Sequence, residues 1–354
     1  MTIATRQYEG IGARMYLPEG PFGSAGQTPF PSFAPGTVVA GDYESEFVYI
    51  YMAVEASMTV NQGDVFCWDN SYYGGPTING SAQQVLGMGV GTAYFGGRFG
   101  DTGSGNVSVV SGNTGPQFGG NASEGNVWSY TFATAGVYGI WVQRAGASVI
   151  NTTGGVTALS DTVYTTTTAG SIGFLASGAS HAATISNLWG VATTIAFTGT
   201  TTASSAIITS VLSTAGTAVV GLTKGQALSS STQIAVGSYI VDIQGNTITM
   251  NINCLAAGTA QAQTANNAAY WATFTNASKT QAIVGYPYGV FPNASLSGTG
   301  VGASCVLSSI SGNPGSLVAT VSVASSAAEA TAVLVTGTKY TEGMLRWPYI
   351  ASQT

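Results

Sequence analysis

Short apolar runs rich in β-branched and aromatic residues, some alternating with polar positions at a period of two, recur along this chain and predict strands. The first run, "EFVYIYMAV", is rich in β-branched and aromatic residues and partly alternating. "ASMTVNQGDVFCWD" follows as strand, Asn-Gln-Gly turn and strand. Residues 127–132 and 137–142 predict two strands across the turn "ATAG". "DTVYTTTTAGSIGFLAS" and "ATISNLWGVATTIAF" predict two further strand pairs with glycine turns. In "VDIQGNTITMNI", Ile248, Met250 and Ile252 share one parity, and Ile243 joins them across the Gln-Gly-Asn turn. Helix signals are sparse: the candidate is "GTAQAQTANNAAYWATF", and its caps are weak.

These runs divide the chain into four stretches. Residues 1–45 form an extended arm rich in proline and glycine, because proline cannot join a central ladder. Its aromatics are poor candidates for free exposure, so the arm is expected across a neighbour or across its own body. Residues 46–197 predict a β core, interrupted by a glycine-rich excursion at 70–126 that is too long for a hairpin. Residues 198–258 are almost purely Ser, Thr, Ala, Val, Ile and Gly, with short apolar runs at regular spacing. They predict a small antiparallel sandwich near the lower size limit for independent folding. In residues 259–354 the aromatics return, and "GMLRWPYI" predicts a closing strand docked on the first domain. The expected fold class is all-β: a β-barrel or sandwich core with an extended N-terminal arm and a second small β-sandwich module.

Composition changes this picture in one respect. Only 6% of residues are charged, against roughly 25% in ordinary soluble domains. The 45% hydrophobic content excludes a disordered chain. A surface of Ser, Thr, Asn and Gly carries little like charge to hold copies apart, which suits a permanent assembly; a secreted bacterial β-protein has the same composition. The net charge of −6 comes from 14 acids and 8 bases with no basic run. Nucleic-acid binding through phosphate neutralisation is therefore not expected. No apolar window is long enough for a membrane helix, and the N-terminus carries no apolar core of a signal peptide. Synthesis and assembly in the cytosol follow as the expectation.

Candidate chemistry is thin. Cys67, Cys254 and Cys305 are odd in number and widely spaced, so they give neither a disulfide framework nor a metal motif; they are expected as small buried hydrophobes. Asp64 and Asp69 are the nearest approach to a converging carboxylate pair, and turn capping is the competing reading. The one histidine, His181, sits in a Ser/Gly/Ala loop without the partners of a nucleophilic triad. "GMGVG" and "GTGVG" lack the lysine of a phosphate cradle. No catalytic residue, cofactor or metal is assigned.

The stretch "ESEFVYIYMAVEASMTVNQGDVFCWD" resembles a recurring opening in structural proteins of tailed bacteriophages. "YGIWVQRAGAS", "ALSDTVYTTTTAGSI" with "ISNLWGVATTI", and the closing "GMLRWPYI" are similar to the strands that follow it there. The family is the capsid decoration, or cement, proteins. The resemblance covers just under a third of the chain, and it implies a non-enzymatic protein on the outer surface of the head shell. It implies the major capsid protein and further copies of itself, in a homotrimer, as partners. Tyr16, Phe22, Phe30 and Phe33 are the candidate contacts with the shell, with intramolecular packing as the competing reading for these rings. The 198–258 module would face outward and touch cell-surface glycans weakly. The arm, the glycine-rich excursion and that module depart from the simplest members. They leave open a tail fibre or receptor-binding head fibre, and, less favoured, a glycan-cleaving spike.

Overall fold

The computed structural model describes residues 18–22, 31–41, 45–76, 87–93, 129–153, 162–166, 168–175, 183–190, 192–285, 287–312 and 316–353. They form strands and turns with no helix among them. The chain divides into two units, residues 1–190 with 342–354, and residues 191–341.

The first unit contains β1 (Val38–Ala40), β2 (Glu46–Val54), β3 (Thr59–Asn61), β4 (Val65–Trp68), β5 (Tyr73–Pro76), β6 (Gly89–Ala93), β7 (Ser129–Thr131), β8 (Gly136–Asn151), β9 (Thr162–Thr165), β10 (Ile172–Leu175), β11 (Ala183–Gly190) and the closing strand (Tyr340–Gln353). Five of these close into a ring. β2 pairs with β5 in parallel, and antiparallel pairings run from β5 to β4, to β6 and to β8. β8 then returns to β2 along an antiparallel ladder from Glu46–Ala145 to Val54–Gly136. The sheet continues from β8 through the closing strand to β11, β9 and β10. A Thr152–Ile172 bridge brings β10 back toward the end of β8.

Period-two geometry explains why some strands here are apolar throughout. On β2, Val48, Ile50, Met52 and Val54 face the ring's interior with Phe66, Trp68, Ile140 and Val142. The alternate residues Phe47 and Tyr49 join Trp141 and Val39 in a separate outer cluster, with Phe33 of the arm packed against it. β4 likewise serves two cores: Phe66 and Trp68 enter the ring, while Val65 and Cys67 pack with Ile150, Ile172, Ile185 and Ile350. Each such burial contributes about 1.5–3 kcal/mol. Gly139 is required where β8 passes under Tyr49, because a Cβ there would run into the phenol ring.

The second unit holds two six-stranded sheets. The first comprises β12 (Thr194–Thr201), β13 (Ile207–Ser213), β14 (Ala227–Leu228), β15 (Ile240–Gln244), β16 (Thr247–Met250) and β17 (Gly258–Asn266). The second comprises β18 (Ala269–Phe274), β19 (Thr280–Val284), β20 (Ser295–Ser297), β21 (Leu307–Ser311), β22 (Val318–Val321) and β23 (Glu329–Thr338). Their strand orders are β14-β17-β12-β13-β16-β15 and β20-β23-β18-β19-β22-β21. Numbered from each sheet's own first strand, both read 3-6-1-2-5-4. Each sheet is closed by a single bridge, Ala227–Tyr239 in one and Ser295–Val306 in the other.

The likeness extends to individual bonds. Cys254 N donates to Ser205 O at 2.8 Å, and Ser325 N to Ser278 O at 2.8 Å. Leu228 N donates to Ser238 O at 2.9 Å, and Leu296 N to Cys305 O at 2.8 Å. Left-handed residues recur at matching places: Ser204 and Ala277 (φ 63° and 58°), Gly225 and Asn293 (φ 93° and 70°). Residues 194–266 and 269–338 are thus two copies of one architecture. Their cores differ in a correlated way. Buried Phe197 and Ile208 of the first copy stand where the second has Tyr270 and Gln281, whose side chains hydrogen-bond at 2.7 Å.

Several sequence expectations change here. The 198–258 module extends to 194–266, because β12 and β17 are each other's long antiparallel partners. Residues 259–354 do not close as one segment on the first unit: β18–β23 make their own sheet, and only the closing strand pairs with β11. "ATISNLWGVATTIAF" is not a hairpin, since β11 and β12 belong to different units. The helix candidate is β17 followed by β18, consistent with its buried Tyr270, Trp271 and Phe274. β5 and β6, inside the expected surface excursion, are members of the closed ring; residues 77–86 and 94–126 of it lie outside the described residues.

Two outcomes follow from these cores. Tyr270→Phe and Gln281→Ile should each lower unfolding free energy by about 1–3 kcal/mol, because each strands a buried polar group. The double variant, which copies the Phe197–Ile208 pair, should lose less than the sum by about 1 kcal/mol or more, as read by urea denaturation. All three cysteines are free and buried, and burial raises their thiol pKa values, that of Cys67 to about 12. A raised pKa keeps the proton on sulfur, so native protein should resist alkylation at about pH 8 and expose every thiol only on unfolding.

Candidate binding groove

The closing strand holds an aromatic in the left-handed region, Trp347. Opposite it, Ser186 pairs with Tyr349 and Leu188 with Leu345, so two steps along β11 face four along the closing strand. The surplus is absorbed at Asn187 and Trp347, which take φ of 61° and 50°. Asparagine tolerates the left-handed region, whereas a bulky side chain there is an outlier. Pro348 adds to the cost, because proline drives the residue before it toward extended backbone. The bulge re-aims side chains: Leu345 and Ile350 are buried, while Trp347 and Tyr349 are 58% and 42% exposed. Met344 and Trp189, cross-strand partners, are also exposed.

Trp347 is held where the bulge puts it. Its indole Nε1 donates to Glu46 Oε1 at 2.9 Å, and the same oxygen accepts from Arg144 Nε in an ion pair. Glu46 opens β2 and Arg144 lies on β8, so the groove wall is fixed to the main ladder. The groove encloses about 260 Å³ and is lined by Trp68, Asp69, Tyr72, Arg144, Trp347 and Tyr349, among others. Trp68 lies across Gly89, where a Cβ would collide with the indole. Asp69 is oriented by two backbone donors, Ser71 N at 2.8 Å and Tyr73 N at 3.0 Å, both to Oδ1.

The carboxylates weighed for hydrolysis do not converge. Asp64 precedes β4 and Asp69 follows it, so the strand separates them. Asp64 is buried, receiving Asn61 N at 2.7 Å on Oδ2 and Asn151 Nδ2 at 2.6 Å on Oδ1. Asp69 caps a turn. Both therefore have structural work of the turn-capping kind. Among the described residues no group of three or more His, Cys, Asp or Glu is arranged to hold a metal, and no helix is long and apolar enough to cross a membrane. His181 lies outside the described residues.

The described arm residues lie on their own body. Glu19 and Gly139 exchange backbone hydrogen bonds at 2.9 and 2.8 Å, and Phe22 N donates to Val137 O at 2.9 Å. Phe22 sits 5.6 Å from Tyr51, and Phe33 sits 5.7 Å from Tyr49 and 5.3 Å from Trp141, ring centre to ring centre. Tyr49 Oη donates to Glu19 Oε2 at 2.8 Å; burial and then the Glu19 carboxylate push this phenol far above its ordinary pKa. Phe22 and Phe33 are thus half-buried in intramolecular packing, while Tyr16 and Phe30 lie outside the described residues. Sequence reasoning placed Trp347 and Tyr349 on a docked strand. It missed the groove, whose one visible signal is the Trp-Pro step inside an alternating run.

Comparisons with protein-family models, curated proteins and solved structures gave no match.

Because glycine takes φ near 50° without strain, Trp347→Gly should be more stable than Trp347→Ala by about 1–2 kcal/mol. This reverses the usual order for a strand interior, and paired urea titrations would measure it.

Proposed function

We propose that this chain is a non-enzymatic structural protein of a tailed-bacteriophage virion, a capsid decoration protein bound to the outside of the head shell through the major capsid protein. The observation that carries the reading is the outward pair of Trp189 and Met344, exposed cross-strand partners on β11 and the closing strand. Exposed large apolar groups gathered on one sheet face mark an interaction surface. The stretches that bear the family resemblance also belong together: "EFVYIYMAV" pairs with "YGIWVQRAG" along β2–β8, and "ATISNLWG" pairs with the closing strand. With 22 acidic and basic side chains in 354 residues, attachment rests on apolar burial and backbone pairing. Association as a homotrimer belongs to the same proposal, since copies carry little charge to repel one another.

The test is copy number on purified particles, by gel densitometry against the main coat band. The expected result is hundreds of copies that stay bound in about 1 M salt, where charges are screened beyond roughly 3 Å. A handful per particle would move the protein to a tail or receptor-binding fibre. Absence from particles would overturn the reading.

A further inference from the structure

We infer that the groove beside Trp347 is a saccharide site that takes one neutral pyranose ring. The inference does not depend on the virion reading, since it rests on the groove's own chemistry.

A pyranose presents an apolar face of C–H groups and a rim of hydroxyls, each both donor and acceptor. The groove matches both parts. Trp347 and Tyr349 supply exposed rings along one side, backed by the buried Trp68. Planar polar groups stand among them. Arg144 commits Nε to Glu46, and its planar guanidinium carries further N–H donors in a fixed fork. Asp69 has Oδ1 fixed by two backbone donors, so Oδ2 is the acceptor it offers. A fixed carboxylate oxygen and a fixed guanidinium suit neighbouring hydroxyls, the one accepting and the other donating.

Size and charge narrow the ligand. The volume of about 260 Å³ falls below the roughly 300–1,000 Å³ of sites for drug-sized molecules, so one ring fits better than an extended chain. Asp69 and Arg144 are the charged lining residues, and the Arg144 charge is already met by its ion pair with Glu46, which disfavours sugars carrying a carboxylate. A ligand of this size in an open groove should bind with a Kd on the order of 1 mM. The strain at Trp347 is a second, independent indication. Backbone held in a sparsely populated region persists only where its surroundings over-determine it, and such residues cluster at binding sites. Here the strain turns a large indole outward, where it costs contact with the core.

The experiment is saturation-transfer NMR on the whole chain with methyl glycosides of glucose, galactose, mannose, N-acetylglucosamine and glucuronic acid. Transfer to the ring C–H protons of at least one neutral glycoside is expected, with little to the glucuronide. Trp347→Ala should weaken that binding about tenfold, and Asp69→Asn should weaken it several-fold, while Leu255→Ala, at an exposed position of the second unit, leaves it unchanged. Trp347→Phe, which keeps a ring but loses the bond to Glu46, should retain part of the affinity and guards against misreading a folding defect. Absence of transfer from every neutral glycoside would overturn the inference. So would binding that survives Trp347→Ala, a preference for the glucuronide, or a groove that instead takes a proline-rich peptide.

Discussion

A sheet edge is a row of unpaired N–H and C=O groups, and this chain has almost no charge with which to guard one. Proteins usually blunt edges with lysines, prolines or covering elements. With 6% charged residues, the alternative is closure, which removes edges altogether. The described residues show it in four places. β8 returns to β2 over a long ladder, Thr152 bridges to Ile172, Ala227 to Tyr239, and Ser295 to Val306. The all-β architecture with one barrel-like ring and further closed or half-closed sheets follows from that constraint.

Closure also explains which features were legible in the sequence. A strand with one face inside a ring and the other in solvent alternates plainly, as "TITM" does with Ile248 and Met250 buried. β2 and β4 are buried on both faces, so their apolar runs announce strands without announcing what they face. Cys67 was readable as a buried hydrophobe because it lies within the apolar strand β4; Cys254 and Cys305 are buried as expected, but outside any strand. The "GMLRWPYI" strand was readable because an aromatic-rich end needs a cover.

The duplication in residues 194–338 was not legible, for a physical reason. What the two copies share is bond pattern and left-handed turn positions, which several residue types satisfy: Ser and Ala at one, Gly and Asn at another. Core identity drifted in compensated pairs, Phe197 with Ile208 against Tyr270 with Gln281. A buried hydroxyl is tolerated only if its partner changes with it, so comparison one position at a time sees two mismatches where there is one consistent exchange. The same blindness put the boundary at 198, inside β12. Composition shifts there, but the backbone ladder to β17 does not.

The groove was illegible because its defining event is a register surplus, and register depends on a partner strand far along the chain. Ser186 and Leu188 decide that Trp347 must turn out, yet they lie about 160 residues away. Once turned out, the indole is secured by Glu46 at the start of the ring's main ladder. The strained side chain is therefore tied to the part of the first unit whose two faces are both packed. That arrangement suits a weak, rigid contact more than an adaptable one, because a ring already held in place loses little freedom when a ligand stacks on it. A site of this kind gains useful strength only through repetition. Where many copies are displayed together, each groove stays weak while the array holds firmly. Individual contacts would still exchange, and a tight single site could not combine those two properties.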